Sequence, residues 1–510
     1  MRHPLATALV ATLLVCAAGD ADAFCGFYVG EAGAKGGLFS DATQVVLMRH
    51  GTTTVLSMQN AYRGPPEGFA LVVPVPVVVK EGDVQTLSRD LFDKVDLLGS
   101  PRLVEYWERD PCYEPPPPEP EPQDDQRAQP STDSGGSSGG GSYVPPPPAV
   151  VVEARFAVGE YESVVLSATE STALETWLRT HDYAIPKKAE KLLRPYIESG
   201  SKFFVARVDP EKVRFADGLA MLSPLRVVYD SPEFTLPIRL GMANSSGSQD
   251  LIVNIISPGV VRYEVANRPN VTIPTNLTVT DAARDHFGEF YAALFEHTLK
   301  RVPGAVVTEY AWDTGSCDPC PGPTIDPAEL ATLGYDALAR QYGYLWGFSL
   351  TRLHLRYGGD TSDDLVFRAV QPIAGGDGVP DAAGHLGDSG ARADGTNRFQ
   401  ARYAILHRWP EPVTCPSPQR GLWDGPPAGA RMAAPMRSRT PAEFTPFPDY
   451  SGWSGGGGGG GGGGLYGPEV MPKPLPRKPH GCGCSSGGAG EGLMLVAAVT
   501  ALLRSRRRRP

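Results

Sequence analysis

Three groups of residues have types and spacings suited to chemistry. The first is Cys317-Asp318-Pro319-Cys320. Two cysteines at this spacing can cycle between dithiol and disulfide when a helix N-terminus or a nearby cation lowers one thiol's pKa. Pro319, Pro321 and Pro323 make the segment a stiff loop, however, and no helix begins at Cys317. A structural disulfide, local or to distant cysteines, is the expectation. Zinc would need two further ligands, and no second CxxC or HxxxH accompanies the pair. The second group is His286, Glu289 and His297, near one face of a helix. Eleven residues separate the histidines by roughly 16 Å along a helix, too far to share one metal. They border an apolar stripe and read as solvated boundary residues. The third is Arg352-Leu353-His354-Leu355-Arg356 on a strand, where the two leucines take one face and the polar residues the other. That polar face could hold an anion, but the expectation is an ordinary face in water.

No GxSxG, HExxH or phosphate-binding glycine loop occurs. No catalytic residue, metal site or cofactor follows from the sequence, and the ten consecutive glycines Gly455 to Gly464 are low complexity. A formal charge of −10 over 510 residues argues against a nucleic-acid partner, whose phosphates require a basic face.

Strand signals dominate the elements that must position these residues. Gln44 to Met48 and Thr52 to Met58 flank Arg49-His50-Gly51 as a hairpin. Phe69 to Val79 is strongly β-like, with Pro74 and Pro76 placing it at an edge or a bulge. Further strands are expected at Ser163 to Leu166, Lys202 to Val208, Leu225 to Tyr229, Leu251 to Ile256, Gly347 to Tyr357 and Ala401 to Trp409. Asp281 to Arg301 is the clearest helix, with Phe287, Phe290, Tyr291, Leu294 and Phe295 on one stripe. Gln85 to Leu98, Thr172 to Leu178 and Lys187 to Ile197 are shorter candidates. The mixture predicts an α+β class, mostly antiparallel sheet with a few packed helices.

Gly and Pro make up about a fifth of the chain and concentrate in two stretches. Residues 114–148 combine polyproline with Gly/Ser and cannot bury enough apolar surface to fold. With β-like sequence on both sides, this reads as a disordered insert in one domain; a linker between two domains is the competing view. Residues 416–480 read as a Pro/Gly-rich stalk that holds the 24–415 ectodomain away from a surface.

Residues 1–23 read as a signal peptide, with an apolar run from Leu5 to Ala18 and small residues Ala21 and Ala23 where signal peptidase reads. Export makes disulfides the default for Cys25, Cys112, Cys317, Cys320 and Cys415. Five is odd, so one stays free or pairs elsewhere, and the connectivity stays open.

At the other end, a Cys motif over 481–486 with Cys482 and Cys484 precedes an apolar run, Leu493 to Leu503, and an arginine cluster over 504–509. As a helix the run is about 16 Å long, too short for a bilayer core of about 30 Å. This order of parts resembles the tripartite MYXO-CTERM sorting signal. The resemblance implies processing by a myxosortase-like membrane protease, membrane association through the C-terminus, and retention at the cell surface or outer membrane through a modified Cys482 or Cys484.

The body also carries a resemblance. Ala23-Phe24-Cys25-Gly26-Phe27-Tyr28-Val29, Phe69 to Pro76, Trp177 with Tyr183, Ile185 and Pro186, Cys317 to Pro321, and Thr351 to Tyr357 are similar to a bacterial family known as domain of unknown function 2330. The family implies an exported protein and no assigned activity. The expected protein is a surface-anchored, non-enzymatic ectodomain of unassigned role. Its rivals are an envelope thiol oxidoreductase using Cys317 and Cys320, and an adhesin or ligand-binding module whose ligand is unknown.

Overall fold

The computed structural model describes residues 27–31, 39–63, 69–113, 150–186, 188–213, 215–216, 219–220, 222–244, 247–427 and 430. The stretches read above as a signal peptide, an insert over 114–148, most of a stalk and a sorting tail lie outside the described residues.

Alternation of apolar side chains builds two sheets that pack face to face. In the hairpin of Phe39–His50 and Thr53–Arg63, Gly51 takes φ +55° at the turn, a left-handed value that glycine adopts without strain. Val45 and Leu47 point to one side and join Tyr28, Leu71, Phe204, Val253 and Leu355 in the main core. Val46 and Met48 point to the other, against Phe92, Val95 and Leu338 from helices. The period of two thus buries both faces of the large sheet.

The second sheet has six strands, including Phe27–Glu31, Phe69–Val75, Val150–Val158, Tyr161–Ala168 and Lys202–Val208. Its inner face supplies Leu71 and Val73 to the shared core. Its outer face, with Ala70, Val72 and Phe203, is covered by Leu174, Leu178, Leu193 and Tyr196 of helices Ser171–Thr180 and Ala189–Glu198. The order is therefore helix, sheet, sheet, helix, with mostly antiparallel pairing. Gln249–Pro258 beside Phe39–His50 is a parallel exception. The class is α+β.

The strand at Phe69–Val75 departs from expectation. It is interior, between Phe27–Glu31 and Lys202–Val208, although Pro74 and Pro76 point to an edge. Among the described pairs, Phe27 meets Val72 as the last residue on its side, so Pro74 has a strand neighbour, Phe203, on one side only. Pro76 falls beyond the strand.

Helix boundaries also shift. Gln85 to Leu98 divides into a short strand Val84–Thr86 and a helix Arg89–Gly99, because Ser88 caps the helix by accepting from the Asp90 N–H at 3.2 Å. Asp281 to Arg301 begins as a separate tight turn, Asp281–Arg284, before the helix Phe287–Arg301. A further helical stretch over 327–342 has no counterpart in the sequence reading.

Described pairing also runs past Cys415, where the stalk is expected to start. Trp423–Asp424 pairs antiparallel with Arg102–Glu108, which pairs on its other side, in parallel, with Arg402–His407. Glu108 is buried and accepts from the Gly421 N–H at 2.9 Å and from the Trp409 N–H at 3.0 Å. A carboxylate so placed needs those partners, and they tie the residues after Cys415 into the head. The strands on both sides of the 114–148 stretch belong to one compact unit.

Candidate functional site

The strand Phe348–Tyr357 carries the densest set of polar side chains. Leu353 and Leu355 enter the main core, as alternation requires. The opposite face is largely covered, with Arg352 buried and His354 and Arg356 half-buried. Helices Arg89–Gly99 and Phe287–Arg301 cover it, so the expected solvated face of Arg352, His354 and Arg356 is corrected to a buried or half-buried one.

Burial forces pairing. Arg352 gives Nη1 to Asp96 at 2.6 Å and Nε to Glu309 at 2.7 Å. Glu309 also contacts His354 Nδ1 at 2.7 Å and accepts from the Tyr291 hydroxyl. His354 stacks on Phe295 with ring centroids 3.8 Å apart. Burial pushes the Glu309 carboxyl up, but His354, Arg352 and Tyr291 outweigh it and hold it at about 2. Burial alone pulls the Arg352 guanidinium down; Asp96 and Glu309 reverse this and raise it. Arg356 continues the row, with Nε and Nη2 on the two oxygens of Asp250 at 2.6 and 2.7 Å and a further pair to Glu296. Arg352 and Glu309 are each 1% exposed at the side chain. Arg352 thus ties its strand to the helix Arg89–Gly99 through Asp96 and to the neighbouring strand Val306–Asp313 through Glu309.

Arg402, fully buried, plays a similar part at the smaller sheet. Its guanidinium donates to Asn276 Oδ1, to the Asp377 and Gly378 carbonyls and to the Tyr106 hydroxyl. Glu105, on the same Arg102–Glu108 strand and opposite Ile405, pairs with Arg284 and His407. Burial raises its carboxyl, but Arg284 and His407 outweigh that and leave it below the usual range.

The Cys317–Cys320 loop is different because it is accessible. The two cysteines form a local disulfide, with Cα atoms 4.9 Å apart. Cys320 is exposed, whereas Cys317 is half-buried against the apolar cluster that includes Trp312, Ile325 and Leu345. Donors from the sheets grip the backbone between them. Arg102 Nη1 donates to the Pro319 carbonyl at 2.7 Å, and Gln400 Nε2 donates to the Asp318 carbonyl. Arg102 also donates to the Leu98 carbonyl at 2.6 Å. No helix begins at the pair, in keeping with its prolines; the next starts at Pro327.

Cys112 and Cys415 form the second disulfide, joining positions 303 residues apart. Cys25, Cys482, Cys484, Ala21 and Ala23 lie outside the described residues. His286 is exposed and meets Glu289 at 2.7 Å. His297 is half-buried; burial, then Arg301 and Lys300, lower its pKa. The structure does not bring the two histidines together. Among the described residues, no group of three or more His, Cys, Asp or Glu side chains is placed to hold a metal ion.

Sequence reasoning missed the loop Gly343-Tyr344-Leu345-Trp346-Gly347. Tyr344 is 83% exposed and Trp346 75% exposed. The available signal was two glycines enclosing alternate aromatics immediately before a strand.

Comparison with known proteins adds one match. The model of a family described as an uncharacterized protein conserved in bacteria, domain of unknown function 2330, matches residues 19–368. No curated protein and no solved structure matches the chain. The match spans well over half the chain, including the Cys317–Cys320 loop, Glu309 and Arg352; the chain belongs to this bacterial family.

Proposed function

We propose that this chain is exported and that its folded head is displayed on the cell envelope as a contact surface, with the 481–510 tail acting as a sorting signal. The observation that carries the reading is the Cys112–Cys415 bond. Disulfides between distant positions form and persist in oxidising compartments, which agrees with a cleaved leader ending at Ala23. The position of the bond also suits display. Cys112 follows the strand Arg102–Glu108 and Cys415 follows Arg402–His407, and these strands are parallel neighbours. A pull from the C-terminal side meets a covalent clamp at Cys415 before it reaches Arg402–His407. Exposed Tyr344 and Trp346 favour a head that touches other macromolecules over one that encloses a small substrate.

Fractionation with mass spectrometry tests this. Intact cells should yield the head to an impermeant protease, and the mature C-terminus should end near Cys482 or Cys484 without the arginines of 504–509. A cytosolic chain with Cys112 and Cys415 as thiols, or an intact arginine tail in the inner membrane, overturns the proposal.

A further inference from the structure

Two independent features meet at one end of the large sheet. Asp313, the last residue of the strand Val306–Asp313, pairs with Ser349, and the next N–H, Thr314, donates to the Phe348 carbonyl at 2.8 Å. The loop carrying Cys317 and Cys320 therefore leaves the sheet beside the loop carrying Tyr344 and Trp346. The Gly259 N–H donates to the Gly347 carbonyl at 2.7 Å, which brings Val260, itself 49% exposed, to the same end. An accessible disulfide and apolar side chains left in water thus sit in loops that leave the same end of the sheet.

The disulfide is not what holds its loop. Arg102 and Gln400 grip the Asp318 and Pro319 carbonyls, and the Ile325 N–H closes the base on the Thr314 carbonyl at 3.3 Å. A bond across three positions removes little chain entropy from the unfolded state. Opening it leaves these backbone contacts in place. The two sulfurs also differ in access: Cys317 packs into the apolar cluster and Cys320 faces solvent. An incoming thiolate reaches Cys320.

We propose that Cys317–Cys320 is an exchange-competent disulfide that oxidises paired cysteine thiols of a polypeptide docked on Tyr344 and Trp346. A partner thiolate attacks Sγ of Cys320. The partner–Cys320 bond forms, the Cys317–Cys320 bond breaks, and the electron pair leaves on Cys317, which takes a proton from water. A second thiolate of the same partner attacks the partner sulfur of this mixed disulfide and releases Cys320. The partner dithiol loses two electrons and two protons and becomes a disulfide; the head gains both and becomes a dithiol. A low-molecular-weight disulfide returns the head to its starting state by the reverse exchange. The apolar platform selects a polypeptide over a small thiol, which has nothing to lay on two aromatic rings. The proposal rests on export, since a reducing compartment would keep the pair open.

The full chain, purified oxidised, is treated with graded dithiothreitol, alkylated and mapped. Cys317–Cys320 should open at about tenfold lower reductant than Cys112–Cys415, with unchanged far-ultraviolet circular dichroism. Cys317→Ser and Cys320→Ser are then offered an apolar peptide whose cysteine is activated as a mixed disulfide. Cys317→Ser, with Cys320 free, should trap the peptide about tenfold faster than Cys320→Ser. The pair Tyr344→Ser and Trp346→Ser should slow peptide exchange about tenfold and leave exchange with dithiothreitol within about twofold. A Cys317–Cys320 bond that resists reductant as long as Cys112–Cys415 does overturns the exchange. So does equal trapping by the two cysteine variants. Peptide exchange untouched by loss of both aromatics overturns the polypeptide partner. Recovery of Cys112 and Cys415 as thiols from native cells sinks the export reading instead, so the two failures are distinguishable.

Discussion

Arg352 places Nε 2.7 Å from Oε2 of Glu309, with both side chains about 1% exposed, at the junction of the large sheet and its helices. The guanidinium also holds Asp96 of the helix Arg89–Gly99, so one cation neutralises carboxylates from two different elements. Replacing it leaves two buried anions without that partner. Arg352→Met is expected to lower unfolding free energy by about 3–5 kcal/mol, the cost of breaking a buried pair from one side. Urea unfolding of the purified protein measures it. A loss below about 1 kcal/mol would show that water reaches the site.

The same cluster sets an acid limit. Glu309 titrates at about 2 in the folded protein, below its ordinary value of 4.5. A depressed carboxyl contributes stability above its unfolded pKa, and that contribution is lost as pH falls through the folded one. Stability should therefore decline from about pH 5 towards pH 2. Glu309→Gln, itself less stable at neutral pH, should show a shallower decline over that window. Thermal melts of both proteins across the range check it, and parallel slopes would contradict the assignment.

The two disulfides should differ in what they contribute. Closing a loop of 303 residues restricts the unfolded chain far more than closing one of three. Cys112→Ser with Cys415→Ser is expected to cost about 2–5 kcal/mol, and Cys317→Ser with Cys320→Ser less than about 2 kcal/mol. Denaturant midpoints of the two double variants decide the ranking.

Residues after Cys415 should behave as part of the head. Gly421 has φ +72°, and a Cβ there would lie 2.1 Å from the Ala382 carbonyl oxygen. Gly421→Ala should destabilise by about 2 kcal/mol or more through backbone strain and this clash. A chain ended at Cys415 should melt below one ended at 430, because Glu108 loses its Gly421 and Arg420 partners. Equal melting temperatures would restore the stalk boundary to 416.

Local patterns were legible where one residue's chemistry suffices. The hairpin around Gly51, the strand Lys202–Val208 and the apolar stripe of Phe287, Phe290, Tyr291, Leu294 and Phe295 are all present. The helical stretch over 327–342 escaped notice because Gly334, at φ +140°, interrupts it. A Cβ on Gly334 would lie 2.8 Å from Val55, so the glycine serves close packing, which no local propensity reports. Tyr344 and Trp346 escaped for the opposite reason. Aromatic type predicts burial, and their exposure depends on where the loop stands.

By itself the sequence determined the α+β mixture, the alternation that sends Leu353 and Leu355 to one face, the stiffness of the Cys317–Cys320 loop and the likeness to a bacterial family. These follow from side-chain period, proline geometry and short motifs, all local to the chain. Only the tertiary structure decided that Cys112 joins Cys415, that the loops carrying Cys317 and Trp346 leave the same end of the sheet, and that Arg352 and His354 face helices where solvent was expected. Asp96 is 256 residues from Arg352 in sequence. Which surface covers a strand's second face depends on packing between such distant segments, and period alone carries no information about the cover.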